Sequence, residues 1–237
     1  MIMRLELEHK IKRTKPLCLL DNGRMIASRE NKIIIYDFQT KSIAYVLDLP
    51  IGKPKKLLMN FRLFARLLRL DVRCSMFTTA NRILITFDKK IFEIDLESCV
   101  VKHVFQIPRG SGPLSMTHIQ GIKGFDEGVV FGEYFGNFKK DKVNIYRRTP
   151  IGKWEIVYTF ESGVMEHIHS IVCDPVNECV WILAGDFGDA SCIWMAKDNF
   201  RSVVPVVKGS QTFRSCVAFA TSEGLLYATD SQFEQNS

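Results

Sequence analysis

Apolar and polar positions alternate in short runs along most of the chain, and Gly, Asn and Asp punctuate the runs. That rhythm predicts half-buried strands joined by tight turns. The first group holds "PLCLL", "RMIASR" and "KIIIYDFQTKSIAYVLDL", with Asn22-Gly23 as a hairpin signal. The second, "CSMFTTANRILITFDKKIFEIDLESCVVKHVFQI", repeats the order: a strand, a turn at Ala80-Asn81, then three more strands. "IYDFQTKSIAYVLDL" and "IFEIDLESCVVKHVFQI" match in character, each an apolar strand, an acidic turn and an outer strand.

Three further groups follow, so a four-strand meander recurs at roughly 35 to 50 residues, the period of a β-propeller blade. The predicted fold is therefore all-β, a β-propeller of four-stranded meander blades in one domain, 1–237. Blades are expected at about 16–50, 74–113, 116–163 and 165–209, with a partial one at 213–237. Four and a half blades would leave unpaired edges, so the expectation is an incomplete propeller.

One stretch breaks the rhythm. In "KPKKLLMNFRLFARLLRLDVR", residues 53–73, Leu57, Phe61, Phe64 and Leu68 follow helical spacing, as do Arg62, Arg66, Arg69 and Arg73. This predicts a single amphipathic helix inserted between blades, starting near Pro54. Its apolar stripe would pack on the strands, or would make a peripheral contact with an anionic membrane surface. Leu63, Leu67 and Leu70 widen the stripe.

Composition changes this picture little. The chain is 46% hydrophobic and 24% charged, which is globular rather than disordered. A formal net charge of +6, much of it from 53–73, is too mild to argue for nucleic acid. The seven cysteines form no C-x-x-C pair and mostly sit in apolar runs such as "SIVCD". The first twenty residues lack a continuous apolar run of the secretory kind. Together these point to a reduced, cytoplasmic setting.

Candidate chemistry clusters at strand ends. In "MEHIHSIVCD", His167 and His169 share one face of a strand while Ile168 faces away. If that strand is innermost in its blade, both imidazoles border a central channel. Two imidazoles are compatible with a metal that takes a third ligand, with Asp186, Glu133 and His118 as candidates. Spacing fixes none of them, and no cofactor is assigned. "GEYFGN" adds Glu133, Tyr134 and Asn137; "AGDFGD" adds Asp186; "GSQTFRS" adds Gln211 and Arg214; "TDSQFEQN" adds Asp230 and Glu234. Charges beside apolar runs cost desolvation unless they meet partners or a wet cavity, and blades converging on an axis supply one. Asp174 and Asp189 are accounted for as turn residues.

The stretch "HIHSIVCDPVNECVWILAGD", with "SCIWMAKDNFRSVVPVVKGSQ" after it, resembles the repeat of sialidase-type, BNR-containing β-propellers. Their Asp-box, S-x-D-x-G-x-T-W, lies on a hairpin between outer strands and marks the fold rather than catalysis. In "AKDNFRSV", Asp198 matches and Ser202 stands for the threonine, while Ala196, Phe200 and Val203 depart from the pattern. The resemblance covers the C-terminal half. It implies an arginine triad, a tyrosine nucleophile with a glutamate partner and an acidic proton donor. Arg214 could be one arginine, but adjacent Glu133 and Tyr134 would face opposite sides of a strand, so the activity is not carried over.

The function expected is binding of a small polar ligand or glycan in the central funnel. A glycoside hydrolase using two of Glu133, Asp186, Asp230 and Glu234 is one alternative. A non-catalytic interaction scaffold is the other.

Overall fold

The computed structural model describes residues 11–20, 23–59 and 61–236, which form two compact units, Met1–Asp71 and Val72–Ser237. Asn22 of the predicted turn and the first ten residues lie outside the described part; Gly23 has φ 70°, as a tight hairpin requires.

The first unit is one antiparallel meander, β1 (Lys15–Leu20), β2 (Arg24–Arg29), β3 (Lys32–Asp37) and β4 (Ser42–Asp48), paired in chain order. Met25, Ala27, Ile34 and Tyr36 form its small core, with Ile11 and Phe38 packed on them. After it come two short helices, α1 (Lys53–Met59) and α2 (Arg62–Leu67), in place of the single helix the periodicity predicts. The register of burial also differs. Met59, Ala65 and Leu70 are buried, whereas the predicted stripe of Leu57, Phe61, Phe64 and Leu68 is exposed. Two segments of about two turns each can present separate faces, so the spacing across the break carries no common stripe.

The second unit repeats the meander. One sheet is β5 (Ser75–Thr79), β6 (Arg82–Phe87), β7 (Lys90–Asp95) and β8 (Val100–Gln106). Next is β9 (Thr117–Ile119), β10 (Gly128–Gly132), β11 (Val143–Arg148) and β12 (Trp154–Phe160). Then come β13 (Ile168–Asp174), β14 (Cys179–Ala184), β15 (Cys192–Lys197) and β16 (Ser202–Lys208), and last a two-stranded sheet, β17 (Ser215–Thr221) and β18 (Gly224–Thr229). All neighbours are antiparallel, and each range falls within a predicted blade.

The core lies between successive sheets. Val129 and Phe131 of β10 pack with Leu84 and Ile91 of the preceding sheet, while Val130 packs with Ile171 and Ile182 of the following one. In β14, Val180 and Ile182 face back and Leu183 faces forward onto Ala218. Strict alternation therefore sends neighbouring residues of one strand into two different cores. That is why the middle strands read as continuous apolar runs, and why β10 is buried along its whole length. First strands lie against first strands: β9 contacts β5 and β13, and β13 contacts β17. The fourth strands β8 and β16 are largely exposed, whereas β12 is mostly half-buried.

Two features fix the approach of β13. Gly132 ends β10, and a Cβ there would run into the Ile168 side chain. Its absence lets the Glu133 carbonyl accept from Ile168 N–H at 3.0 Å. The β13–β14 register then shifts at His169, a bulge that re-aims one side chain.

All seven cysteines are unbridged. Burial pushes the thiols of Cys173 and Cys179 up to about 11 and those of Cys192 and Cys216 to about 12. Such thiols are small hydrophobes rather than nucleophiles at neutral pH. No described helix is long and apolar enough to cross a membrane.

Candidate functional site

The start of β13, the turn after β14 and the turn before β17 bring their polar side chains to one place. His167 precedes β13, and His169 occupies its bulge. Their Nε2 atoms lie 3.0 Å apart. Asp186 joins them, with Oδ2 3.3 Å from His167 Nε2 and Oδ1 3.2 Å from His169 Nε2. The turn that carries Asp186 depends on Gly185, whose φ is 72° and whose missing Cβ makes room for the Ala190 carbonyl.

The other ring nitrogens are tied to the backbone. His167 Nδ1 lies 3.2 Å from the Phe135 carbonyl oxygen, and His169 Nδ1 lies 2.9 Å from that of Ser215. A carbonyl accepts only, so each Nδ1 carries a proton, and in the neutral rings both Nε2 lone pairs point at each other and at Asp186. Burial works to raise the Asp186 pKa; once the imidazoles are protonated, hydrogen bonds from both rings and their positive charge outweigh it and lower the pKa.

Around this trio, Gln211 Nε2 donates to the Asp186 carbonyl at 2.7 Å and Arg214 Nε donates to Asp186 Oδ1 at 3.1 Å. Arg214 Nη2 reaches Asp230 Oδ2 at 3.8 Å. Glu166 Oε2 accepts from Asp186 N–H at 3.2 Å and is paired through Oε1 with Lys140 at 3.6 Å. Tyr134 leans on His167 with ring centres 4.4 Å apart. Two buried atoms, Arg214 Nη1 and Gln211 Oε1, have no hydrogen-bond partner among the described residues. The imidazoles are almost fully buried, and the Asp186 side chain keeps 21% of its surface.

No protein-family model matches the chain, and no curated protein matches it in sequence. Solved structures do match in shape. A nidogen/laminin complex chain has a TM-score of 0.57 at 7% identity, over 91% of this chain and 71% of that one. An oligogalacturonate lyase in complex with manganese has 0.57 at 11% identity, over 93% and 59%. Regucalcin, a calcium-binding protein from Agrobacterium tumefaciens str. C58, has 0.49 at 12% identity, over 91% and 66%. The meanders are β-propeller blades. The nidogen/laminin and lyase likenesses support the propeller without supporting the sialidase or BNR group in particular.

Within the propeller, His167, His169, Asp186, Gln211, Arg214, Asp230 and Tyr134 come together around the first strands of adjoining blades. Three other predicted positions are engaged elsewhere. Glu133 is buried in an ion pair with Arg109, and it also accepts from Asn144 N–H at 2.8 Å. Asn137 braces its loop, donating to the Asp141 and Glu166 carbonyls and accepting from Asp141 N–H, each at 2.9 Å. Glu234 is exposed in the C-terminal turn, with its N–H on Ser231 Oγ. His118 lies on β9, outside the trio.

Sequence reading missed Arg109 and Glu166. Each sits in a polar run with no periodic signal, and only the folded chain shows its partner. The Asp-box-like hairpin does lie between the outer strands β15 and β16. There Asp198, Asn199 and Phe200 all have positive φ. Phe200 is buried against Phe125, and Asn199 bonds Asp126 and Arg147 of the preceding blade. Its visible work is to lock two blades together.

Proposed function

We propose that the first-strand ends around β13 and β17 bind a small polar ligand, a saccharide bearing an acidic group. The observation that carries this reading is the pair of unsatisfied atoms beside Asp186, Arg214 Nη1 and Gln211 Oε1. Leaving such atoms buried and unpaired costs about 1 to 3 kcal/mol each, so a ligand that pairs them recovers that energy. A guanidinium N–H suits a carboxylate and a carboxamide oxygen suits a hydroxyl, while the Tyr134 ring adds an apolar platform. The carboxylates favour binding over hydrolysis. Asp186 is engaged by Arg214 Nε and by both imidazoles, and Glu133 is occupied by Arg109.

The test is a melting-shift screen of uronic-acid oligosaccharides against their neutral counterparts. An acidic sugar should raise the melting temperature of the wild type, and Arg214→Lys should weaken its affinity about tenfold or more, because lysine cannot reproduce a planar fork. Equal response to neutral and acidic sugars would refute the reading, and released product would favour the hydrolase.

The exposed side chains of the helical segment support a second role. Leu57, Phe61, Leu63, Phe64, Leu67 and Leu68 are all exposed, and no acidic residue lies between Asp48 and Asp71, where Lys53, Lys55, Lys56, Arg66 and Arg69 are found. Exposed apolar side chains interspersed with mainly basic ones, of which Lys56 lies 3.8 Å from Asp48, fit an anionic bilayer interface. Co-sedimentation should be seen with phosphatidylserine-containing vesicles and fall about tenfold or more on pure phosphatidylcholine or in Leu63→Glu/Leu67→Glu. Equal sedimentation with both vesicles, or self-association through this surface instead, would rule the bilayer out.

A further inference from the structure

The geometry points to a resident first-row divalent transition-metal ion held by His167 Nε2, His169 Nε2 and the Asp186 carboxylate. The three donor groups come from two separate segments, yet one ligand atom from each lies within 4.8 Å of the others; the two Nε2 atoms are 3.0 Å apart, and the carboxylate faces His167 through Oδ2 at 3.3 Å and His169 through Oδ1 at 3.2 Å. An ion about 2.1 Å from each donor requires edges of about 3.0 Å for cis-octahedral positions and about 3.4 Å for tetrahedral ones. Each of these contacts therefore has the length of an edge between adjacent donor atoms around one ion, with the carboxylate turned to offer one oxygen toward each imidazole.

Proton placement supports the same reading. Both Nδ1–H groups are committed to the Phe135 and Ser215 carbonyls. That is the arrangement by which a protein fixes the tautomer and aims of metal-binding imidazoles. It leaves two lone pairs and a carboxylate converging with no hydrogen among them. Three acceptors so close repel one another unless a cation lies between. A single proton on one imidazole satisfies one contact at a time, whereas a metal ion satisfies all three at once.

The surroundings are arranged to keep Asp186 a ligand. Arg214 donates to Oδ1 through Nε, and Glu166 accepts from the Asp186 backbone N–H. The positive charge of Arg214 opposes a cation, but Asp230 and Asp186 lie on either side of it. Ligand softness sets the class of ion: two imidazoles and one carboxylate suit zinc, iron, cobalt or manganese rather than calcium or magnesium. The exposed part of Asp186 gives an entry path, and the remaining coordination positions would face the same opening.

This inference goes beyond the saccharide reading and is separable from it. Chelator-treated full-length protein is titrated with cobalt(II), whose visible bands report coordination, and with zinc(II) by calorimetry. One equivalent should bind saturably and raise the melting temperature. His169→Gln and Asp186→Asn should each weaken affinity about 100-fold or more, while His118→Ala, outside the trio, should leave it unchanged. Circular dichroism confirms that each variant is folded; Asp186→Asn also keeps the shape of the side chain it replaces. Absence of saturable binding by the wild type, or unchanged affinity in folded His169→Gln, would overturn the site. Acidic-sugar binding by the metal-free protein through Arg214 would survive that result, so failure of one idea does not imply failure of the other.

Discussion

Replacing Arg109 with methionine is expected to destabilise the protein by roughly 3 to 5 kcal/mol, because it strands a buried carboxylate. Glu133 is 2% exposed, and Arg109 meets both of its carboxylate oxygens while its guanidinium lies over the Phe135 ring at 4.3 Å. Without that partner the carboxylate keeps only Asn144 N–H at 2.8 Å and a long contact with Tyr146 at 3.5 Å. The double change Arg109→Met/Glu133→Gln should recover about half of the loss or more, since a neutral amide is far less costly to bury. Urea denaturation of the four proteins gives the coupling. A single-variant loss below about 1 kcal/mol would mean that water reaches Glu133 and that the pair contributes little. The effect should extend to the site. Glu133 passes its carbonyl to Ile168 N–H, between the two histidines, and Phe135 holds His167 Nδ1. Arg109→Met should therefore also weaken metal binding without touching a ligand atom.

The meander was readable because its determinants are local. Asp37 Oδ1 accepts from Gln39 and Thr40 N–H at 2.9 and 2.8 Å, and Asp95 Oδ1 accepts from Glu97 and Ser98 N–H at 3.1 and 2.9 Å. The two motifs that matched in character thus make one turn with one set of bonds. His167 and His169 do meet, as their spacing suggested, but not through regular period-2 geometry, since His167 precedes β13 and His169 occupies its bulge. Asp186 was named as one of three possible third ligands, but 16 residues of intervening hairpin separate it from His169, and register cannot be read from composition. Arg109 and Glu133 are 24 apart in sequence and follow β8 and β10, strands of different sheets, so their pairing exists only once blades pack. The helical segment failed for a different reason. Helical spacing identifies a face, but which face turns inward depends on a break that leaves no periodic trace, and here Met59, Ala65 and Leu70 are the buried positions.

Asp174→Ala is expected to cost about 2 to 4 kcal/mol at neutral pH, although the residue looks in sequence like an ordinary turn former. Its side chain does cap the turn, with Oδ1 accepting from Asn177 N–H at 2.9 Å. It is also fully buried, and Oδ2 accepts from both Asn177 Nδ2 and Trp181 Nε1 at 2.9 Å. Alanine removes the acceptor shared by three donors; exposed Asn177 can turn to water, while the half-buried indole N–H of Trp181 loses the partner shown for it. Asp174→Asn can satisfy only part of the set, because its amide nitrogen would face another donor. The pH dependence has a defined sign. Burial raises the Asp174 pKa, but the bonds from Asn177 and Trp181 outweigh it, so the folded value lies below the unfolded one. Stabilisation is then fully present above the ordinary carboxyl pKa of about 3.9 and is lost as pH falls through the folded value. The stability gap between wild type and Asp174→Asn should hold from neutral pH to about 5 and close on further acidification. Denaturation midpoints across that range, with Trp181 fluorescence as the local signal, check both size and sign. A gap that widens in acid would mean that the carboxyl is protonated in the fold and acts as a donor.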